Sequence, residues 1–437
     1  MPYNHELANP IGYIPLLEGP EHEWLESRLK TYSTKEFGDS ESYSDMKRIA
    51  RTALPKMESF TRAVAIDGSL TSIEEPNITA LKVASVDADL TKTPRYTNGV
   101  LDPSSVREKY TVRSSLGLIP GRGVYPKGKE GSWDTKMREE FYETFRHTQV
   151  HGSSRSLNLV AWLRGRLHTY STKNPLKCPN CSVGKIDFGE NSFVNFCEYC
   201  NVDVYFTDYL SSSVFSSTSA GTGSMLLLEQ CLMQAMIYEM ANGNIEGDVE
   251  QTLFIQDGPL RMYNLPDIAE VFLSGIRGLR PRPALVSFMK SGHIEKIFAS
   301  QKAEDSLLPG EIALVTEDMR GRKKKDLKKQ GDSGLYGKSF AYRTEDGLKR
   351  FGFMIPPIAG DLREGGAPVL DEWETYPYLR AVCDFIEANN SNENGATTAT
   401  LEIVAEANSS ASLPMRSAKK SLQELVDSWK QTQKVER

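Results

Sequence analysis

The chain has 437 residues, of which 39 % are hydrophobic and 25 % are charged, a composition that allows a large buried core and excludes general disorder. Its 52 basic and 58 acidic residues give a net charge of −6, so any binding to nucleic acid must come from a local basic patch. The sequence contains neither an apolar run of membrane-spanning length nor a secretory signal, and we expect a cytoplasmic protein without a membrane partner.

The chain divides into six predicted segments. They are a mostly helical lead-in at 1–61, the first part of an α/β core at 62–91, an insertion at 92–215, the remainder of the core at 216–388, a linker or frayed helix at 389–412, and an amphipathic helix at 413–437. Strands are predicted at 63–66, 80–90, 252–256, 284–289, 311–316, 337–343 and 350–355, and helices at 134–147 and 225–241. Residues 92–135 are rich in Pro, Gly and Ser, which predicts a loop.

Four of the six cysteines have the spacing of a zinc ribbon. Cys178 and Cys181 form one C-x-x-C pair, Cys197 and Cys200 form a second, and fifteen residues separate the two pairs. Four thiolates close the tetrahedral shell of a zinc ion, so we predict a structural Zn²⁺ site in a ribbon at about 176–203. The ribbon either stabilises an insertion too small to fold alone or also contacts DNA or a protein. The remaining cysteines, at 231 and 383, are predicted to be core thiols.

Two aspartates each follow a short, largely apolar run. Asp67 follows 63–66 and Asp257 follows the strand at 252–256, and each is followed by glycine. A carboxylate at a strand end is held rigidly, and the glycine lets the backbone turn close to a ligand. The pair suggests a shared site, although Asp-Gly is also an ordinary turn dipeptide.

Glu229 lies within the apolar face of the helix predicted at 225–241. A buried carboxylate is costly unless it is paired or binds a metal, so Glu229 either joins the two aspartates or reaches an arginine or the solvent. Three carboxylates from two strands and a helix could hold two divalent cations, and their hard oxygens favour Mg²⁺ or Mn²⁺. Such an arrangement suits phosphodiester hydrolysis.

These motifs resemble the NurA-type nucleases, metal-dependent enzymes that process DNA ends. The resemblance lies in 65–69, in the helix from Leu228 and Glu229 onward, in 255–260, in 286–290 and in Tyr376-Pro377. It covers 62–90 and about 205–385, roughly half of the chain. It implies a ribonuclease-H-like mixed sheet flanked by helices, into which the zinc ribbon is inserted.

The resemblance also implies roles for individual residues. Asp67, Glu229 and Asp257 match the family's metal-binding carboxylates, and Tyr376 matches its active-site tyrosine, which would position the scissile strand. The family usually has a histidine eight residues after that tyrosine, where this chain has Asp384. An aspartate can bind metal or accept a proton, but it cannot donate as a cation to phosphate at pH 7.

Partners are implied by the same resemblance. Family members are dimeric and act with a HerA-type hexameric DNA-translocating ATPase, in DNA repair or in defence against foreign DNA. This chain has no G-x-x-x-x-G-K-[ST] motif, so a P-loop motor for translocation would have to be supplied by such a partner.

Basic residues downstream of the carboxylates are candidates for DNA contact. Lys290 ends a predicted strand and could bind a phosphate or neutralise the carboxylate cluster. The segment 320–329 carries seven basic residues in ten, which fits either phosphate binding or a solvated loop. The residues of that segment predicted to bind DNA are Arg320, Arg322, Lys323, Lys324 and Lys325.

The sequence therefore predicts a metal-dependent deoxyribonuclease that leaves a 3′-hydroxyl and a 5′-phosphate. The alternative is a non-catalytic adaptor, in which the ribbon and the basic segment bind DNA or the ATPase and the carboxylates are remnants of an active site.

Overall fold

A computed structural model gives the fold of the chain. It describes residues 47–73, 78–92, 108–121, 133–189, 192–210, 220–262, 265–289, 307–315, 336–358, 372–389 and 401–412, with the short pieces 96–97, 100–101, 363–364, 367–368, 423–424 and 427.

Nine strands form one mixed sheet. They are β1 (Arg48–Ala50), β2 (Arg62–Ile73), β3 (Ile78–Asp89), β4 (Tyr110–Pro120), β5 (Thr252–Asp257), β6 (Ala284–Phe288), β7 (Glu311–Leu314), β8 (Lys338–Arg343) and β9 (Arg350–Ile355). Their order across the sheet is β1-β7-β8-β9-β6-β5-β2-β3-β4. Two-residue hairpins lie outside it, Tyr96–Thr97 with Val100–Leu101 and Arg363–Glu364 with Ala367–Pro368.

Six α-helices accompany the sheet. They are α1 (Trp133–His147), α2 (Leu159–Lys173), α3 (Ala220–Ala241), α4 (Pro266–Gly278), α5 (Leu379–Asn389) and α6 (Glu402–Ala411), with 3₁₀ turns at Arg51–Ala53 and Trp373–Thr375. The helices α1 to α4 contribute to one hydrophobic core, which includes Val64 and Ile66 of β2. The helices α5 and α6 contribute to a second core, which includes Ala63 and Ala65 of the same strand. The period-two alternation of β2 thus supplies both faces.

The central five strands have the ribonuclease-H-like order. The strands β2, β3 and β4 form an antiparallel meander, and β5 and β6 add in parallel beside β2. The helix α3 precedes β5, and α4 connects β5 to β6. The predicted fold class, an α/β protein with a mixed sheet flanked by helices, is confirmed.

The structure differs from the sequence prediction in several places. The strand predicted at 63–66, which Asp67 was expected to end, continues through Asp67 and Gly68 to Ile73 as β2, so Asp67 lies within a strand. Residues 48–50, predicted to be part of a helical lead-in, form an edge strand paired with β7. The loop predicted at 92–135 contains β4, which pairs with β3 along eleven residues. The segment 389–412, predicted to be a linker or a frayed helix, contains the helix α6, whose small side chains Ala407 and Ala411 are buried. Of the C-terminal helix predicted at 413–437, only three residues are described.

Candidate active site and zinc centre

Asp67 and Asp257 lie on neighbouring parallel strands. The ladder between these strands ends with the pair Ile66 and Gln256, so the next position brings the two aspartates side by side. Ala65 and Ile255, two residues before them, both belong to the core beneath α5 and α6. Because side chains alternate along a strand, both carboxylates are placed on that same face of the sheet.

Glu229 approaches the same strand from the other face. It belongs to α3 and is almost completely buried, so its carboxylate does not reach the solvent. A Cβ added to Gly68 would lie 2.3 Å from Glu229 Oε1, which shows that this carboxylate occupies the space beside the backbone of β2. Glu229 therefore meets the strand one residue after Asp67.

The donor set suits a hard divalent cation, because all three side chains offer carboxylate oxygens and two of them are buried. The carboxylate oxygens of the three residues do not lie as close to one another as the four cysteine sulfurs do. In the described part of the chain, the cysteine cluster is the sole group of three or more His, Cys, Asp or Glu whose ligand atoms all lie within 4.8 Å of one another. Metal binding by Asp67, Glu229 and Asp257 stays a prediction.

Two buried polar side chains, without hydrogen-bond partners in the part of the chain that the structure describes, lie next to Asp257 on the opposite face of the sheet. Gln256 and Ser287 are cross-strand neighbours on β5 and β6, and both are fully buried. Neither side chain has a hydrogen-bond partner within the described residues. Buried polar groups without partners are rare in native proteins, and a bound ion or water is one explanation for them. Sequence reasoning missed this pair, although the polar Gln256 within an apolar strand is a visible signal.

Tyr376 is buried on the face that carries the two aspartates. Its ring packs edge-on against Phe340, with ring centroids 4.9 Å apart. Phe340 pairs with Phe353, and Phe353 pairs with Phe288, which lies opposite Asp257. Tyr376 is thus packed three strands away from β5, and its role at the scissile strand stays a prediction.

Asp384 is held by two arginines. On α5, its carboxylate forms an ion pair with Arg51, which follows β1, and a second with Arg380 Nε at 3.8 Å. Arg51 also pairs with Glu345. Asp384 therefore joins α5 to the edge of the sheet, and a part in metal binding stays a prediction.

The predicted DNA-binding residues lie outside the described part of the chain. This holds for Lys290 and for Arg320, Arg322, Lys323, Lys324 and Lys325. Among the described residues, sequence reasoning passed over Lys82, which alternation along β3 places on the same face as Asp67.

The four cysteines form a compact cluster that could bind zinc. The distance between the Cys178 and Cys200 sulfurs is 3.6 Å, and the distance between the Cys181 and Cys197 sulfurs is also 3.6 Å. A tetrahedral zinc ion with Zn–S bonds of about 2.3 Å requires sulfurs about 3.8 Å apart, so the cluster has the size of such a site.

Local backbone geometry prepares both C-x-x-C turns. The residue after each pair, Ser182 and Asn201, has a positive φ, which turns the chain back around the sulfurs. Backbone amides of Gly184 and Val183 lower the pKa of the Cys181 thiol to about 6, because hydrogen bonds to sulfur stabilise the thiolate. A thiolate is the form that binds zinc.

The ribbon is joined to the main core. Its short strands are Leu176–Lys177, Lys185–Ile186, Val194–Cys197 and Val202–Tyr205. Phe188 packs on Phe206 with ring centroids 5.3 Å apart, and both belong to the core beneath α1 to α4. Arg138 of α1 forms a buried ion pair with Asp208 at 3.3 Å. The cysteine cluster therefore lies in a unit that packs on the helices.

Comparison with known proteins returns NurA structures. No family model and no curated protein sequence matches the chain. The crystal structure of the NurA nuclease from Sulfolobus solfataricus is similar, with 11 % identity, a TM-score of 0.34, and coverage of 96 % of this chain and 97 % of that one. A second crystal structure of NurA is similar at 10 % identity and a TM-score of 0.30, covering 86 % and 89 % of the two chains. Both bear the family name that the sequence motifs indicate.

Within the described residues, no helix combines the length and the hydropathy that a membrane span requires.

Proposed function

We propose that this protein is a metal-dependent deoxyribonuclease. The observation that supports the proposal most directly is the register of β2 and β5, which brings Asp67 beside Asp257 on one face of the sheet. Glu229 adds a third carboxylate, which is buried beside Gly68. Asp257 at the end of β5 and Asp67 within the neighbouring strand β2 would provide a rigid anionic site for Mg²⁺ or Mn²⁺ on a ribonuclease-H-like sheet.

The chemistry follows from these residues. Divalent cations, when bound, would activate water and neutralise the charge that develops on the phosphate. Asp67 and Asp257 would hold the cations at the sheet, and Glu229 would complete the ligand shell from α3. Burial of Asp67 and Glu229 keeps their carboxylates in fixed positions, so they need no reorganisation during the reaction.

The test is cleavage of a labelled DNA oligonucleotide in Mn²⁺ and in Mg²⁺. We expect activity in the wild type, loss of activity in EDTA, and at least about a hundredfold loss in Asp67→Asn and Asp257→Asn. Glu198→Gln, which removes an exposed carboxylate on the ribbon, should cleave like the wild type. Undiminished cleavage by either aspartate variant would overturn the proposal.

One observation favours the alternative, a non-catalytic adaptor. The three carboxylates do not form a cluster as close as the described cysteine cluster, as would be expected of a degenerate site. Isothermal titration of the zinc-saturated protein with Mn²⁺ separates the two functions. If the protein is a nuclease, it binds Mn²⁺ and Asp67→Asn abolishes that binding. If it is an adaptor, Asp67→Asn leaves the Mn²⁺ titration unchanged.

Finer parts of the proposal come from the sequence resemblance. They are a HerA-type hexameric ATPase as partner, a homodimer, a role in DNA repair or in defence, and Zn²⁺ as the ion of the cysteine site. Co-purification with a HerA-type ATPase and the mass of the protein in solution would test the first two.

A further inference from the structure

Beyond helix α6, the described residues leave part of the sheet face that carries Asp67 uncovered. Side chains alternate on β2, β3 and β4, so Ser69, Lys82 and Leu116 form one row across this face. Leu116 is 64 % exposed, and Leu118 on the same strand is 48 % exposed. None of the described elements covers this strip of the sheet, which begins one row away from Asp67.

Lys82 is the cation of this strip. Its neighbours Leu81 and Val83 are buried in the core beneath α1 to α4, so the Lys82 side chain is on the opposite face, with Asp67. The residue opposite Asp67 is Ala84, which makes Lys82 the diagonal neighbour of Asp67. Diagonal neighbours in an antiparallel pair have Cβ atoms about 7 Å apart, within the reach of a lysine side chain.

The ammonium group of Lys82 has no protein partner among the described residues. It is half-buried, yet it forms neither a hydrogen bond nor an ion pair there. Lys92 and Lys109 differ in this respect, since Lys92 pairs with Asp89 and Lys109 with Glu402. A partly desolvated cation beside an anionic site is suited to a ligand that brings negative charge.

We propose that Lys82 binds a phosphate of the DNA strand next to the scissile phosphate, and that the open strip holds that strand. This inference rests on the proposed nuclease function. Cations held by the carboxylates would neutralise the scissile phosphate, whereas the adjacent phosphate needs its own positive charge. Lys82 supplies a point charge one row away, and the hydroxyl of Ser69 in the same row can donate to the strand.

The experiment compares Lys82→Ala with Lys82→Arg and with Lys136→Ala, a control that removes the same charge from a lysine already paired with Glu140. Fluorescence anisotropy with a labelled single-stranded oligonucleotide in EDTA, at several salt concentrations, gives the binding constant. Cleavage in Mn²⁺ gives KM and kcat.

For Lys82→Ala we expect about a fivefold or greater rise in Kd and in KM, and a salt slope smaller by about 0.7, the value for one lost phosphate contact on a single strand. Lys82→Arg should stay within about twofold of the wild type, because it keeps the charge. Lys136→Ala should change neither constant. Binding by Lys82→Ala that matches the wild type at every salt concentration would overturn the inference.

Two further outcomes are informative. If the wild type cleaves and Lys82→Ala cleaves with the same KM, this inference fails and the nuclease function stands. If the wild type does not cleave, the nuclease function fails, and so does the role of Lys82 beside a scissile phosphate. Should Lys82→Ala unfold, Lys82→Met retains the apolar stem of the side chain and tests the charge alone.

Discussion

The carboxylate of Glu229 lies in the space that any side chain at Gly68 would need. A Cβ at residue 68 would be 2.3 Å from Glu229 Oε1 and 2.6 Å from Met225 Cγ, closer than non-bonded atoms approach. The glycine that follows Asp67 is therefore required by the close approach of α3 to β2. Gly68 therefore lies between Asp67, which precedes it in the chain, and the carboxylate of Glu229, which packs against it.

Gly68→Ala should displace Glu229 and abolish cleavage. Glu229 is buried and Met225 is partly buried, so we also expect a loss of about 1–3 kcal/mol in the free energy of unfolding, the usual cost of overpacking. The measurements are cleavage in Mn²⁺ and urea unfolding. The matched control is Gly165→Ala on α2, where a Cβ would meet nothing within 4 Å and should be neutral or stabilising. Full activity of Gly68→Ala would show that the position of Glu229 is unimportant for the reaction.

Removal of the cysteine cluster should release one metal ion per chain and destabilise the fold. Cys178 and Cys197 are buried in the main core, so loss of an ion that these cysteines hold would disturb more than an isolated insertion. For Cys181→Ser we expect zinc content near zero and a loss of more than about 3 kcal/mol, since binding energy at a structural zinc site is folding energy. Metal analysis and thermal unfolding provide the readouts. Cys231→Ala, a buried thiol outside the cluster, must keep its zinc.

The ion pair between Arg138 and Asp208 should be a main attachment of the ribbon. Both side chains are buried, and Asp208 also accepts a hydrogen bond from the Tyr205 amide at 2.9 Å. Asp208→Ala leaves the Arg138 guanidinium buried without this partner, which typically costs about 3–5 kcal/mol. Lys136→Ala removes a pair on the outer side of the same helix and should cost less than about 1 kcal/mol. Equal losses in the two variants would contradict a special role for the buried pair.

Much of the candidate site could be predicted from sequence because its elements have simple patterns. The apolar runs before Asp67 and Asp257 are fully buried strands, and their order along the chain is that of a parallel pair. The C-x-x-C spacing is similarly direct. The registers that bring the aspartates together and place Lys82 diagonal to Asp67 depend on strand pairing, which no local pattern specifies.

The composition of two elements, α6 and β4, made them hard to predict from the sequence. The helix α6 consists largely of Ala, Ser, Asn and Glu, a composition typical of a linker. It packs on β2 and β3, and its Ile403, Val404 and Ala407 belong to the same core as Ala63 and Ala65 of β2. The strand β4 is an edge strand with serines, a glycine and exposed leucines, so its alternation is weak. In both cases the structure of the segment depends on the part of the sheet against which it packs or pairs.

A buried histidine should make the fold sensitive to acid. His151 lies between two strands, with Nδ1 2.7 Å from Ser85 Oγ and Nε2 2.9 Å from Ser115 Oγ. Burial, and secondly the charge of Arg113, lower the pKa of His151 to about 4, so the folded state keeps the imidazole neutral. The unfolded chain takes up a proton near its ordinary pKa of about 6.5.

The direction of the pH effect follows from that difference. Between about pH 6.5 and pH 4 the unfolded state binds a proton that the folded state does not, so stability falls as the pH falls, by up to about 3 kcal/mol. Urea unfolding of the wild type and of His151→Gln at pH 7.5, 6 and 5 measures it. The variant lacks the titrating ring, so the difference in free energy of unfolding between the two proteins should shrink toward pH 5. A difference that stays constant with pH would show that His151 is protonated alike in the folded and unfolded states.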